Sequence, residues 1–367
     1  MFVFPYIIIA FLPFSKCFIH PTKGIFNQNP IVPVSHIDAM EPILHPRRRL
    51  LLLHEESPDQ PEYYLQKTIL SKLKKKIGSL LKLIRYENLF PTLLLSLTGG
   101  WLMQPSFYSL FHCSSFLAAT LNTLLMMSSS MVMNDLFDIS IDEINHPERP
   151  LVTGEVSKRE AIAFSSMLLG ISQYISYSFL PDYLQIIFNS ATLQIILYTP
   201  VLKKILFIKN LSCACLVSFA VFFAGLASSE PHTLITLHKN FGLFSLVLSL
   251  IFMGSLYNEL LLDMRDYEGD KQNGIITIPV ILGQKYSWIL SNGILGFNIL
   301  SNYSALYTIF NPYIAVLFII IMSPMTVRSM YIKKSEYSKE SIVNAVTKTN
   351  KQLFLVLLYF CGLVYFR

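Results

Sequence analysis

The chain has 367 residues and a formal net charge of +6, with 53% hydrophobic and only 14% charged residues. Soluble domains carry about a quarter charged residues, so this composition excludes an ordinary water-soluble protein, a disordered chain and a collagen-like fibre. Several apolar segments must therefore lie in a lipid bilayer.

The first 65 residues are predicted to be a targeting presequence with a disordered tail. A short apolar run at 1–18 precedes a polar stretch rich in Pro, His and Ser, which is the usual order in a targeting region. A flexible tail with no targeting role is the alternative interpretation. A presequence of this length favours a eukaryotic organelle membrane, plastid or mitochondrial, with the endoplasmic reticulum as a further option.

Residues 66–87 are predicted to form a basic amphipathic helix on the membrane surface. Ile69, Leu73, Ile77 and Ile84 recur at helical spacing, and lysines occupy the positions between them. An apolar stripe opposite a basic face is typical of helices that lie in the membrane interface. Binding to nucleic acid is the competing interpretation of a lysine run, and the apolar segment that follows argues against it.

Residues 88–367 are predicted to form an all-α polytopic membrane domain with nine transmembrane helices. A crossing needs about 20 apolar residues, and nine segments come near this length. They are centred on 88–104, 112–133, 160–180, 184–200, 211–228, 241–262, 286–308, 312–331 and 351–366.

Lysine and arginine alternate between the loops of this domain. The loops after the second, fourth, sixth and eighth segments are basic, whereas the opposite loops offer only Lys239. Basic loops stay on the cytoplasmic side of a membrane or its organelle equivalent. The alternation therefore supports nine crossings, since a missed one would scramble it.

A row of acidic and amide side chains ends the second segment. Asn134, Asp138 and Asp142 fall at i, i+4 and i+8, which would place them on one helix face with Asp135 beside them.

A second acidic row ends the sixth segment, on the same side of the membrane, with Glu259, Asp263, Asp266 and Asp270 at i, i+4, i+7 and i+11. A carboxylate at the bilayer centre costs roughly 2.5–3.5 kcal/mol on insertion scales, so the two rows need compensating cations. Mg²⁺ prefers carboxylate oxygens and bridges them to substrate phosphates. The two rows therefore predict a Mg²⁺ site for a phosphate-bearing substrate, and solvated helix ends are the alternative.

Longer motifs surround both rows. Residues 134–154 read NDxxDxxxD and then N-x-P-x-R-P-L-x-x-G, while the second row holds a DxxxD motif and continues through EGDxxxGIxTxPVxxG to Gly283. Over about 80–366 the chain resembles the UbiA superfamily of intramembrane prenyltransferases. The resemblance implies nine helices around a central lipid-accessible cavity, and transfer of a prenyl group from a polyprenyl diphosphate to a membrane-associated acceptor.

The same resemblance implies a role for particular residues. It assigns two Mg²⁺ ions to the side chains of both rows, namely Asn134, Asp135, Asp138, Asp142, Glu259, Asp263, Asp266 and Asp270, with Asp138 and Asp266 essential for turnover. It assigns the diphosphate charge to Arg149, Lys203 or Lys204, and Lys271.

Three further residues match the family pattern. Arg85 and Asn88 open the first segment and are implied to bind substrate. Tyr198 would stabilise a carbocation or orient the acceptor, and an interfacial tyrosine is the alternative interpretation.

The resemblance leaves the acceptor open. The stretch 134–157 reads closer to members that act on tetrapyrroles or glycerol phosphate lipids, while quinone precursors remain possible. A membrane terpene cyclase on the same scaffold and a divalent-cation transporter are the competing functions. Nothing in the sequence indicates a nucleic acid or an obligate protein partner.

Overall fold

The computed structural model describes residues 61–229, 240–272 and 274–366, which form helices and no strands. Residues 1–60 of the predicted presequence, and Lys239, lie outside the described residues. Helix α1 (Pro61–Leu83) begins five residues before the predicted amphipathic stretch. Its apolar side chains Ile69, Leu73 and Ile77 are each about half exposed, and the lipid-surface role stays a prediction.

The described chain divides into two compact units at Leu80 and Leu81, within α1. The larger unit contains thirteen described α-helices. The first seven are α2 (Leu89–Met103), α3 (Phe107–His112), α4 (Ser114–Phe137), α5 (Ile139–Asn145), α6 (Lys158–Phe179), α7 (Asp182–Tyr198) and α8 (Ile208–Ser228). It ends with α9 (Phe241–Arg265), α10 (Tyr267–Gln272), α11 (Ile278–Leu282), α12 (Gln284–Ile309), α13 (Pro312–Lys334) and α14 (Lys339–Leu363).

Each of the nine predicted segments falls on one of the longer described helices. Five of these helices, α4, α8, α9, α13 and α14, are long and apolar enough to cross a membrane. The chain is therefore an integral membrane protein with several apolar helices. Because α2 and α7 have only 15 and 17 residues, below the usual crossing length, the count of nine crossings stays a prediction.

The last helix begins twelve residues before the segment predicted at 351–366. Ser338 starts it by accepting a hydrogen bond from the backbone N–H of Ser341, as helix-capping serines do. The early turns are polar, but Ile342, Ala345 and Val346 recur at helical spacing and are buried. This apolar stripe is too narrow to raise the average hydropathy, although it is enough to fix the helix against the core.

The core of the larger unit depends on a close approach between α2 and α8. A Cβ on Gly99 would lie 2.0 Å from the carbonyl oxygen of Val221, so only glycine permits this contact. Gly225 on α8 is equally crowded, since a Cβ there would lie 2.3 Å from the ring of Phe244. The tight packing fixes α8, whose first turn contributes to the site described next.

Candidate active site

The first acidic row lies at a break between two helices. Helix α4 ends at Phe137, and Asp138 has φ −95° and ψ 8° before α5 begins. The prediction of one continuous helix face is therefore wrong. The four polar side chains are nonetheless all buried, with Asn134, Asp135, Asp138 and Asp142 at most 5% exposed.

Arg149, Arg85 and, as described below, Lys203 neutralise this buried row. Arg149 donates to Asp142 and, at 3.0 Å, to Asp135. Arg85 also donates to Asp135, at 2.7 Å. Buried carboxylates are stable only when such partners compensate their charge. The structure thus brings together the first row and two cations that the resemblance had placed in the site.

Arg85 reaches this row from an unusual backbone conformation. Its φ of 52° lies in the left-handed region, which is unfavourable for a residue with a Cβ. Asn88, three residues after Arg85, is 3% exposed. Strain of this kind is typical of functional sites, and here it accompanies the contact between Arg85 and Asp135.

Asp142 lies on α5, beyond the spanning helix α4. Burial raises the pKa of Asp142 to about 6, and the neighbouring Arg149 opposes the rise. Arg149 therefore favours the charged form of Asp142, and burial opposes it. A divalent ion in the same position would have the same effect on the pKa.

From the loop after the fourth predicted segment, Lys203 contacts the first row and Lys204 does not. Lys203 Nζ lies 2.6 Å from Asp138 Oδ1 and 3.4 Å from Asn134 Oδ1. Lys204, in the same 3₁₀ turn, is exposed. The sequence left both lysines as candidates, and only Lys203 lies beside the acidic row in the structure.

Substitution of the two lysines should give unequal results. We expect Lys203→Met to lower the prenyl transfer that the resemblance implies at least tenfold, because it removes a cation that contacts the acidic row. Lys204→Met removes the same charge from an exposed position and should leave the rate within about twofold. Steady-state rates of diphosphate release by the two purified variants test this. Equal losses in both would contradict the assignment.

The second acidic row is also divided. Helix α9 ends at Arg265, Asp266 follows with φ −90° and ψ 4°, and Asp270 lies on the separate helix α10. The prediction of a single face is wrong here too, because the chain leaves the helix at Asp266. Glu259 and Asp263 remain on α9 and are 3% and 5% exposed.

The second row has its own cationic partners. Asp263 accepts from Lys209 Nζ at 2.5 Å and from Asn210 Nδ2 at 2.7 Å, both on the first turn of α8. Asp266 accepts from its neighbour Arg265 at 2.8 and 2.6 Å. Sequence reasoning missed Lys209 and Arg265 as site residues. Lys209 had one available signal, its position in the basic loop after the fourth predicted segment.

Two residues that the resemblance had placed in the site, Lys271 and Tyr198, have their described contacts with other side chains and not with the acidic rows. Lys271 is exposed, and its Nζ lies 5.6 Å from the ring centroid of Tyr267. Tyr198 is buried at 2% exposure, with its hydroxyl 3.8 Å from Cys213 Sγ. Protein atoms therefore cover the Tyr198 ring, and both its role toward the substrate and its interfacial position stay predictions.

Within the described residues, no group of three or more His, Cys, Asp or Glu side chains converges closely enough to hold a metal ion. Five of the carboxylates, Asp135, Asp138, Asp142, Asp263 and Asp266, each contact a lysine or arginine side chain. Their chemistry nevertheless suits Mg²⁺, since both rows present buried, hard oxygen donors. Asn134 adds a buried amide whose Nδ2 has no partner among the described residues.

Comparison with known proteins identifies the fold and the group of relatives. The model of the UbiA prenyltransferase family matches residues 90–362. A digeranylgeranylglyceryl phosphate synthase of Sulfolobus acidocaldarius is 32% identical over 228 residues, which is 60% of this chain and 75% of the relative. The enzyme of the same name from Methanosphaera stadtmanae is 31% identical over 216 residues, covering 58% and 75%.

Solved structures agree with this assignment. A digeranylgeranylglyceryl phosphate synthase in membranes is 26% identical, with a TM-score of 0.60 over 78% of this chain and 98% of that one. A UbiA homologue from Archaeoglobus fulgidus bound to GPP and Mg²⁺ has 18% identity and a TM-score of 0.58, over 78% and 99%. The second likeness shows the fold alone. The relatives named above are archaeal and give no support to the predicted organelle membrane.

Proposed function

The chain belongs to the UbiA prenyltransferase family, and on that basis we propose that it transfers a geranylgeranyl group from its diphosphate to the hydroxyl group of a glycerophosphate lipid. The observation that carries the proposal is the pair of acidic rows on one predicted side of the membrane, in each of which buried carboxylates contact lysine or arginine side chains. The acceptor class comes from the relatives, whose name describes a glyceryl phosphate with two geranylgeranyl groups. Those relatives give no support to the predicted quinone or tetrapyrrole acceptors.

The proposed reaction exchanges one carbon–oxygen bond for another. The allylic C–O bond of the prenyl diphosphate breaks, and diphosphate departs with the bonding electron pair. The acceptor hydroxyl oxygen forms an ether bond to the same carbon and releases its proton to solvent. The barrier lies in charge separation at the departing diphosphate, so fixed positive charge there accelerates the reaction.

The first row and its cations are suited to the diphosphate end. Arg149 and Lys203 lie within hydrogen-bond distance of this row, so a diphosphate held there would meet both positive groups. Arg85 would hold Asp135 in place. These side chains bind and orient the diphosphate, while apolar helices exclude water from the reacting carbon.

Mg²⁺ is the implied cofactor of this site. The buried side chains of Asn134, Asp138 and Asp142 in the first row would hold it. In the second row the ligands would be Asp266 and Asp270, which are only partly buried. Bound there, Mg²⁺ would supply positive charge that stabilises the departing diphosphate. The neighbouring Archaeoglobus fulgidus structure, which contains GPP and Mg²⁺, supports this choice of metal.

Diphosphate release by the full-length protein in detergent tests the proposal. We expect release from geranylgeranyl diphosphate to require Mg²⁺ and to stop with EDTA. The acceptors to compare are geranylgeranylglyceryl phosphate, hydroxybenzoate, homogentisate and a chlorophyllide. Only the first should gain the mass of a geranylgeranyl group.

Other outcomes would contradict the proposal in different ways. A mass shift on hydroxybenzoate, homogentisate or chlorophyllide would move the acceptor to that class. Release with only a free hydrocarbon or alcohol would indicate the cyclase reaction. An absence of release with every prenyl chain length would contradict a transferase activity of this protein.

A further inference from the structure

A second polar feature lies within the membrane helices, and it begins beside Glu259, the first residue of the second acidic row. A narrow pocket opens between α8, α9, α12, α13 and α14. Its wall is mostly aliphatic and methionine side chains, into which the amides of Asn258, Asn298, Asn350 and Gln352 are set. None of its lining side chains in the described part of the chain is charged. Amides inside spanning helices are costly, so they indicate either helix pairing or a ligand.

Two of these amides have structural partners that explain them. Asn298 donates to the backbone oxygen of Leu250 at 3.1 Å and accepts from Asn302 at 2.9 Å. Gln352 donates to the carbonyl of Ile321, one turn before Pro324 in α13, and accepts from Arg328. Both side chains brace neighbouring helices, so neither requires a ligand.

Asn258 differs from these two. Its Nδ2 has a long contact of 3.4 Å with Asn350 Oδ1. Its Oδ1 is buried and has no hydrogen-bond partner among the described residues. Buried carbonyl oxygens in proteins are almost always satisfied, so the wall of this pocket offers an acceptor that a hydroxyl group would complete.

The chemistry of the wall limits what the pocket can bind. A phosphate is a poor fit because none of the described side chains that line the pocket carries a positive charge, and Arg328 lies behind Gln352 outside the lining. A plain hydrocarbon would leave the Asn258 oxygen unsatisfied. The cavity volume of about 60 Å³ admits about four water-sized groups. An uncharged segment with a hydroxyl group and a few carbons, joined to an apolar chain, fits these limits.

The position of the pocket suits the acceptor. Asn258 precedes Asp266 by eight residues on α9, which is about 12 Å along the helix toward the membrane interior. We propose that the pocket binds the uncharged glycerol segment of the acceptor lipid, with Asn258 Oδ1 accepting a hydrogen bond from its hydroxyl group. This assignment rests on the proposed function and adds to it a residue that selects and orients the acceptor.

Two variants test the assignment by kinetics. Asn258→Leu keeps the side-chain volume and removes the acceptor oxygen, so the KM for the lipid acceptor should rise about tenfold. A Cβ on Gly254 would lie 3.8 Å from Asn298 Nδ2, so Gly254→Ala should be tolerated whereas Gly254→Leu should fill the pocket and raise this KM further. The KM for geranylgeranyl diphosphate should not change in either leucine variant. Ser323→Leu, at an exposed position on α13, is the matched control.

A binding measurement separates this assignment from the proposed function. The probe is 1-O-hexadecylglycerol, which has the glycerol segment and no phosphate, and hexadecane is its control. The probe should raise the melting temperature of the full-length protein, and Asn258→Leu should abolish the shift whether or not transfer to a glycerophosphate lipid is found. If the probe stabilises neither protein, or both equally, the assignment is overturned and Asn258 serves only helix packing.

Discussion

Replacing Asp138 with alanine should lower prenyl transfer by about a thousandfold and leave membrane insertion intact. Asp138 is 5% exposed and accepts from Lys203 at 2.6 Å. Its loss removes a proposed Mg²⁺ ligand and leaves Lys203 without its carboxylate partner. The variant is more apolar at the end of α4, so insertion should not suffer. Diphosphate release per mole of purified protein measures the effect.

Matched variants make this result specific. Glu148→Gln removes a carboxylate from the same region, but its side chain is 60% exposed, so activity should stay within about twofold. Asp266→Ala should cause a loss similar to that of Asp138→Ala, since the second row is proposed to hold Mg²⁺ as well. Full activity in both alanine variants would rule out the two-row assignment, and Mg²⁺ dependence would then need other ligands.

The positions of the long helices could be predicted from the sequence because apolar runs are a local property. The segments predicted at 211–228 and 241–262 agree with α8 and α9 at one end and differ by three residues at the other. The start of α14 at Lys339 could not be predicted in this way, because it depends on which face packs against the core. Average hydropathy hides a stripe such as Ile342, Ala345 and Val346.

The acidic residues of the site could also be predicted, but their partners could not. Asp263 and Lys209 are 54 positions apart in the chain, and only the packing of α8 against α9 joins them. Each row was expected on one continuous helix, whereas α4 ends just before Asp138 and α9 ends just before Asp266. Asp side chains compete with the helix for backbone hydrogen bonds, so Asp138 and Asp266 lie at natural places for a helix to end.

Removal of Arg149 should have the second large effect, on stability as well as on activity. Arg149 contacts both Asp135 and Asp142 and is 12% exposed. Breaking a buried ion pair by removing one partner costs about 3–5 kcal/mol of stability. Because Asp135 keeps its contact with Arg85, the stability loss in Arg149→Met should lie near the lower value of that range. We expect a lower melting temperature and loss of prenyl transfer. Adding Asp142→Asn should recover stability without recovering activity.

The dependence of this stability on pH follows from the pKa of Asp142. Burial raises that pKa from 3.8 to about 6 in the folded protein, so folding favours the protonated form. In EDTA, the contribution of Asp142 is fully present below about pH 4 and is lost as the pH rises through about 6. Removing Arg149 takes away the cation that opposes the rise. The melting temperature of Arg149→Met should therefore fall more steeply with pH than that of the parent protein, and Asp142→Asn should flatten both curves. Equal slopes in all three would show that Arg149 does not control the charge of Asp142.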